Sequence, residues 1–291
     1  MKISAVLPVY NDADVVGECI ASLKRQSRKF DEIIVVNDAS TDPTPEVIRK
    51  FKGLRIFDFK KNRGRSNARN FGAAKANGKI VAIIESDSVY NTNWVKAVLK
   101  KFEEGADAVI DRRAVHKPKT FVSRMNDAVF TARYRNYTPF SAWAFKKNVF
   151  KKLKGFDNRL DWPEDADLGQ RLLKNGYKIL CAKKAVQYHK GEPKTLVEGM
   201  KRSYNFGKRM KPYYAKHPGQ YPLRKLAYST ILIPSLIFPP LFAILIAVGY
   251  LHVLFKYAGN LPAKFLLAYP LYTIITEFSF AVGYWKNRVV G

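Results

Sequence analysis

The chain has 291 residues, enough for one large domain or two small ones with a sizeable core, and Lys+Arg 51 against Asp+Glu 24 give a net charge of +27. Solubility needs far less, so the composition calls for an anionic partner: nucleic acid, an anionic membrane surface or phosphorylated substrates. Two cysteines, Cys19 and Cys181, exclude a disulfide framework and lack the CxxC spacing of a zinc site, which fits a reducing compartment.

The N-terminal run MKISAVLPVYND carries one Lys and is broken by Pro8, with no small-residue cleavage site, so it reads as a first strand rather than a signal peptide. Ile3–Val9 predicts that strand, residues 13–26 a helix with Val15, Val16, Cys19, Ile20 and Leu23 on one stripe, and residues 32–36 a second strand. Thr41-Asp42-Pro43 supplies a cap and a first-turn proline for a helix over 43–52. A third strand follows at 54–57, a helix at 66–77 closed by Gly78, and a fourth strand at 79–84. Alternating strands and helices with short connections predict a parallel, helix-covered α/β sheet, and such sheets bind ligands at the carboxyl ends of their strands. Pro8-Val9-Tyr10-Asn11, Asn37-Asp38 and Glu85-Ser86-Asp87 all fall there. Glu85 and Asp87 are two apart, so on an extended backbone their side chains share one side of the sheet edge, where a hard divalent ion bridges carboxylates to a phosphate.

A second block contains a strand at 106–111, a basic irregular stretch at 112–135, a strand at 141–146, and Gly155-Phe156-Asp157 leading to Trp162-Pro163-Glu164-Asp165-Ala166-Asp167-Leu168. Pro163 and the acids after it mark a helix start that continues to Gly176. The helix dipole alone favours acids at that terminus, but Asp161, Glu164, Asp165 and Asp167 cluster in a basic chain, and one of them suits a general base on a rigid helix end. Residues 183–225 hold 12 Lys or Arg, interleaved with Tyr188, Tyr204, Phe206, Tyr213, Tyr214 and Tyr221. Residues 227–255 then contain no Asp, Glu, Lys or Arg, and residues 265–285 only Glu277. This predicts a transmembrane hairpin with spans at 239–255 and 265–285, entered through an interfacial or kinked segment broken by Pro234, Pro239 and Pro240. The domain plan is therefore a catalytic domain at 1–190, a basic aromatic membrane-interface segment at 191–226 and the hairpin at 227–291. The connection between the spans carries only Lys256 and Lys264, so the positive-inside rule places both termini and the catalytic domain on the cytoplasmic face of a multi-pass cell-membrane protein. The basic stretch would seat on anionic lipids at about 1 kcal/mol per cation.

Four segments, VLPVYND, IVVNDASTD, NRGRSNARNFGAAKANGKIVAIIESDS and GFDNRLDWPEDADLGQRLLKNGYKI, in this order and at these spacings, resemble a family 2 glycosyltransferase of the GT-A fold over residues 1–190. The resemblance implies inverting transfer of a sugar from a UDP- or GDP-linked donor with a divalent cation, Mn or Mg, as cofactor. On the matching positions it implies that Pro8, Tyr10 and Asn11 line the base and ribose pocket, that Asp38 contacts the nucleoside, that Ser86 lies with the donor, and that Arg65 or Arg69 approaches the diphosphate. Asp87 would be the metal ligand and Asp165 the base, with Trp162 and Glu164 on the acceptor side. His189, in VQYHKG, matches a position that completes the metal site in some members; a lone surface histidine is the competing reading. Glu85 stands where the family usually has Asp, so its contact to metal is through water or lacking. The Ser-Val-Tyr after Asp87 and the lack of a Gln-x-x-Arg-Trp motif set the chain apart from polyprenyl-phosphate sugar synthases and processive polysaccharide synthases.

Spans directly after a catalytic domain imply a lipid or lipid-linked acceptor and anionic membrane lipids as partners. A membrane-associated nucleotidyltransferase is the alternative, but no Gly-rich triphosphate loop stands near the N-terminus. A non-catalytic membrane or nucleic-acid-binding protein explains the charge and not the strand-end carboxylates, so nucleic acid is not an expected partner.

Overall fold

The structure is a computed structural model and describes residues 1–135, 143–160, 162–220 and 239–286. Two compact units emerge, one of Met1–His116 with Asn136–Gly191 and one of Lys117–Arg135 with Glu192–Gly291. In chain order the elements are β1 (Ile3–Val9), α1 (Ala13–Lys24), β2 (Glu32–Asn37), α2 (Thr44–Arg49), β3 (Arg55–Asp58), α3 (Arg65–Lys75), β4 (Ile80–Ile83), β5 (Ser88–Tyr90), α4 (Trp94–Glu103), β6 (Ala108–Val115), α5 (Phe121–Arg135), β7 (Ala144–Lys146), α6 (Lys147–Lys152), α7 (Glu164–Lys174) and β8 (Ile179–His189). They are followed by α8 (Leu196–Arg209), α9 (Lys211–Lys216), α10 (Pro239–Tyr257) and α11 (Ala263–Lys286).

The first unit is built on an eight-stranded sheet in the order β3-β2-β1-β4-β7-β6-β8-β5. β1 lies inside, paired in parallel with β2 and β4, and its apolar run is buried because helices cover both faces. Val16, Cys19, Ile20 and Leu23 of α1 join Leu7, Val9, Val35 and Ala82 in that core, so four of the five residues of the expected stripe face the sheet while Val15 stays half-buried outside it. The sheet is mixed rather than parallel: β7 runs antiparallel to β4 and β6, and β5 antiparallel to β8. The chain leaves β4, turns through residues 84–87 and re-enters the sheet as the three-residue β5 at the far edge. Glu85 and Asp87 therefore sit on a turn, closed by Ser88 N–H donating to the Glu85 carbonyl at 3.3 Å, and not on the extended backbone expected for them.

The stretch at 112–135, expected to be irregular, is instead the end of β6 followed by the helix α5. In the second unit Met125, Val129 and Ala132 of α5 pack with Val253 and Tyr257 of α10 and Phe265 and Tyr269 of α11. Thr195 caps α8, its hydroxyl accepting the Glu198 N–H at 3.2 Å while the Glu198 carboxylate accepts the Lys194 N–H at 2.7 Å. α8 then lies so close on α11 that a Cβ at Gly207 would strike the Phe280 carbonyl oxygen, and one at Gly283 the Tyr204 carbonyl oxygen. Tyr213 and Tyr214, expected at the lipid headgroups, are buried, Tyr214 against Tyr284 at 6.2 Å. Among the described residues one helix, α11, is long and apolar enough to cross a membrane. The expected interfacial entry at 227–238 lies outside the described residues, as does Asp161.

Candidate active site

The turn after β4 and the end of β8 build one corner of the site. Ser88 is paired with His189 across the antiparallel β5–β8 ladder, and the Lys190 N–H donates to the Asp87 carbonyl at 2.9 Å, so backbone register sets Asp87 beside His189. His189 Nε2 donates to Asp87 Oδ2 at 3.1 Å and lies 3.9 Å from Glu85 Oε2. The three donor atoms fall within 4.8 Å of one another, a separation that one cation can span. Glu85 is further held by Gln187 Nε2 and by Arg113, 3.8 Å away. Burial pushes the Asp87 carboxyl up, but the hydrogen bond and charge of His189, with the charge of Arg113, outweigh it and hold the group below the ordinary carboxylate range. Gly191 leaves the approach open: a Cβ there would stand 2.8 Å from His189 Cε1 and 3.0 Å from Asp87 Oδ2.

The donor-side residues lie at the ends of β1 and β2. Tyr10 is exposed, and Asn11, with φ 54°, accepts the Thr41 N–H at 2.8 Å, so the two loops are tied to each other. Pro8 is half-buried in β1 opposite Val36. Asp38 is buried and accepts the backbone N–H groups of Arg63 at 2.7 Å and Gly64 at 2.8 Å, which fixes the entry to α3. The Ser86 hydroxyl donates to Asp12 Oδ2 at 2.8 Å. Asp12 is a positioning residue that the sequence reasoning passed over; burial raises its carboxyl despite hydrogen bonds from Tyr10 and Ser86. α3 separates its two arginines. Arg65 is exposed in the first turn, whereas Arg69 is buried, ion-paired with Glu164 and stacked over Trp143 and Phe156 at 5.4 and 5.3 Å. Arg69, expected at the diphosphate, and Glu164, expected on the acceptor side, are thus each other's internal counter-ion, as two charges buried this deeply require, while Arg69 Nε and Glu164 Oε2 keep no hydrogen-bond partner among the described residues.

That pairing sorts the acids of α7. Asp167, fully buried, bonds Arg171 at 2.7 Å, and Arg171 in turn donates to the Gly155 carbonyl at 2.7 Å. Asn70 of α3 grips the same loop through the Phe156 N–H and carbonyl at 2.9 and 2.8 Å. Glu164 and Asp167 are thus both ion-paired. Asp165 bonds only the Ala166 N–H, at 2.8 Å, and has no ion pair among the described residues. Burial first and the Glu164 charge second push its carboxyl up to about 6, with a smaller push from Glu85, which brings Asp165 within the electrostatic reach of the strand-end cluster. Trp162 is half-buried at the mouth of α7. Arg113 and Gln187 were not legible as site residues, since each reaches Glu85 through a strand pairing distant in sequence.

The fold is of the GT-A type, a mixed sheet with flanking helices whose strand ends carry a carboxylate–imidazole cluster, with Asp165 the one described α7 acid outside an ion pair. The profile of Glycosyl transferase family 2 matches residues 4–158, and the chain belongs to that family. An uncharacterized glycosyltransferase of Rickettsia bellii is 38% identical over 106 residues, 35% of this chain and 15% of that protein. Across three rickettsial relatives the chain spans 15% to 19% of their length. Among solved structures, S. aureus TarS 1-349 in complex with UDP-GlcNAc shares the fold at TM-score 0.57 and 16% identity, covering 99% of this chain and 92% of that one. The Pyrobaculum calidifontis mannosyltransferase PcManGT in complex with GDP-Man and Mn2+ does so at TM-score 0.65 and 21% identity, covering 99% and 87%.

Proposed function

We propose that the protein is an inverting glycosyltransferase that moves a sugar from a UDP- or GDP-linked donor, with a divalent cation, to a lipid or lipid-linked acceptor at the cytoplasmic face of the cell membrane. The observation that carries the reading is the state of Asp165: it alone of the described α7 acids is free of an ion pair, and its raised carboxyl suits a base working near neutral pH. In the reaction the acceptor hydroxyl oxygen attacks the anomeric carbon, Asp165 takes the hydroxyl proton, the bond to the phosphate oxygen breaks, and the nucleoside diphosphate leaves. No covalent enzyme intermediate is needed for inversion. Asp87, His189 and Glu85 fit a cation because two carboxylate oxygens and an imidazole nitrogen converge under a glycine that a larger residue would fill. Mixed oxygen and nitrogen donors suit Mn better than Mg. When bound, the ion neutralises charge on the departing diphosphate. Arg65, exposed at the start of α3, and Arg113 are the cations placed to share that work.

Membrane placement is supported by α10 and α11. Ile244, Val248, Leu251 and Phe255 expose one apolar face of α10, and Leu267, Leu271, Phe278 and Val282 one face of α11, as lipid-facing helices do. Incubating the full chain with a panel of sugar nucleotides and a membrane lipid extract should release a nucleoside diphosphate and a glycosylated lipid. Release of pyrophosphate instead would establish the nucleotidyltransferase alternative. Calorimetry with Mn2+ and the matching nucleoside diphosphate should show at least tenfold weaker binding for Asp87→Asn.

A further inference from the structure

Away from the strand-end cluster, the first unit holds a groove of about 930 Å³ between the exposed side of α4 and the first half of β8. Its lining is one-sided in charge. Lys96, Lys100, Lys183 and Lys184 all line it, and among the described residues none of their four ammonium groups has a hydrogen bond or an ion pair, unlike Arg28 and Lys101, which are held by Asp31 and Glu104 at 2.8 and 2.6 Å. Glu103 is the single carboxylate of the lining. Lys183 and Lys184 are there because β8 bulges: Asp111 pairs with Ala182 and the next residue, Arg112, with Val186, so residues 183–185 loop out of register. Asn91 holds that bulge, its Nδ2 donating to the Lys184 carbonyl at 3.0 Å and its Oδ1 accepting the Val186 N–H at 3.0 Å. The two lysines of α4 are one turn apart, about 6 Å along the axis. Like charges at that spacing disfavour the helix, although Lys100 also lies near enough to Glu104 to help lower its carboxyl.

We propose that this groove is a docking site for an extended polyanion, a chain carrying repeated phosphate groups. Four uncommitted ammonium groups in two pairs match successive phosphates as point charges. The site is concave, which suits a strand better than a flat bilayer, and its lining has no aromatic side chain on which nucleic-acid bases would stack. Across the bulge β8 advances only from its pairing with Asp111 to that of His189 with Val115, four residues of β6 or about 13 Å at strand rise, and the groove shares no lining residue with the strand-end cluster, so its occupancy does not depend on the reading given to that site.

The test is fluorescence anisotropy of a labelled linear polyphosphate with the full chain in detergent. For the variant Lys96→Gln/Lys100→Gln/Lys183→Gln/Lys184→Gln, binding should weaken at least tenfold, and the slope of log affinity against log salt should flatten by about 3 for four lost phosphate contacts. A charge-matched variant at exposed positions elsewhere, Lys50→Gln/Lys52→Gln/Lys151→Gln/Lys152→Gln, should stay within about threefold of wild type at physiological salt, where distant charges are screened. If the fourfold variant does not fold by its thermal midpoint, the Lys96/Lys100 and Lys183/Lys184 pairs changed separately should each remove about half of that slope change. Equal weakening by both fourfold variants would overturn the site, leaving only net charge. So would anionic vesicles that displace polyphosphate charge for charge, or a single-stranded oligonucleotide that outcompetes it.

Discussion

Asp165→Asn separates chemistry from folding, because the two respond in opposite directions. As the proposed base, Asp165 would contribute the ~10² to 10⁴ of general-base catalysis, so the turnover number should fall by that factor, about 3 to 5 kcal/mol of barrier, while nucleoside diphosphate affinity stays at the wild-type value. Stability should move the other way. Burial and the Glu164 charge raise the folded carboxyl from 3.8 to about 6, so the folded chain holds this proton more tightly than the unfolded chain does. The penalty for the ionised form is absent below the unfolded value, grows between the two, and is complete above about pH 6. Its size is at most about 3 kcal/mol and is reduced by the partial exposure of the side chain. Asparagine removes the penalty, so the Tm of the variant should exceed wild type at pH 8 and match it near pH 3. In the wild type, kcat/KM should rise as pH passes upward through about 6, and that limb should be missing in the variant. An asparagine variant that keeps activity within a few-fold of wild type, or that loses stability at pH 8 as a severed helix cap would, refutes the assignment.

Removing one partner of the buried Arg69–Glu164 pair, as in Glu164→Gln, strands a charge and should cost about 3 to 5 kcal/mol by urea unfolding, whereas Arg69→Met/Glu164→Leu should recover most of it. Glu164→Gln should also move the activity limb to lower pH, since it deletes the like charge beside Asp165. Gly191→Ala puts a methyl against His189 and Asp87, so Mn2+ affinity by calorimetry should drop at least tenfold with donor-free stability little changed. Val248→Asp with Leu271→Asp places charge on two exposed apolar helix faces, at a cost of about 2.5 to 3.5 kcal/mol each if those faces meet lipid. Membrane fractionation should then show the protein lost from the bilayer; unchanged recovery would argue that these faces pack on protein.

What could be read from the chain was what depends on neighbours in sequence. The apolar runs of β1, β2 and β4 and the stripe of α1 need only local periodicity, and the polar ends of those strands follow from where the runs stop. The mixed sheet needed partners far away: β5 finds β8 about a hundred residues on, and only that pairing brings His189 to Asp87. Arg65 and Arg69 look equivalent in RGRSNARN because both fall on one helix four apart; burial of one against Trp143 and Phe156 is a property of loops that the helix sequence does not contain. α5 was hidden by its own composition, since Arg124, Arg133 and Arg135 obscure an apolar face that is legible only once α11 lies across from it.

A chain with 24 acids among 51 cations has few carboxylates to leave open, and nearly every acid around the crevice is already committed. Asp38 holds the Arg63-Gly64 backbone, Asp12 holds Ser86, Glu164 holds Arg69, Asp167 holds Arg171, and Glu85 is shared between Gln187 and Arg113. Each of these bonds lowers the free energy of one loop geometry and, by the same act, removes a lone pair from ligand chemistry. Two carboxylates remain the most open to a ligand: Asp87, on the side that Gly191 vacates and with Glu85 beside it in the cation cluster, and Asp165, bound to one backbone N–H. Their environments drive them apart in acidity, Asp87 held low by the His189 hydrogen bond and nearby charge and Asp165 held high by burial and the Glu164 charge. A low carboxyl stays ionised to hold a cation and a high one exchanges a proton near neutral pH, so the proposed division of labour between metal ligand and base would follow from which neighbours the fold has placed next to each.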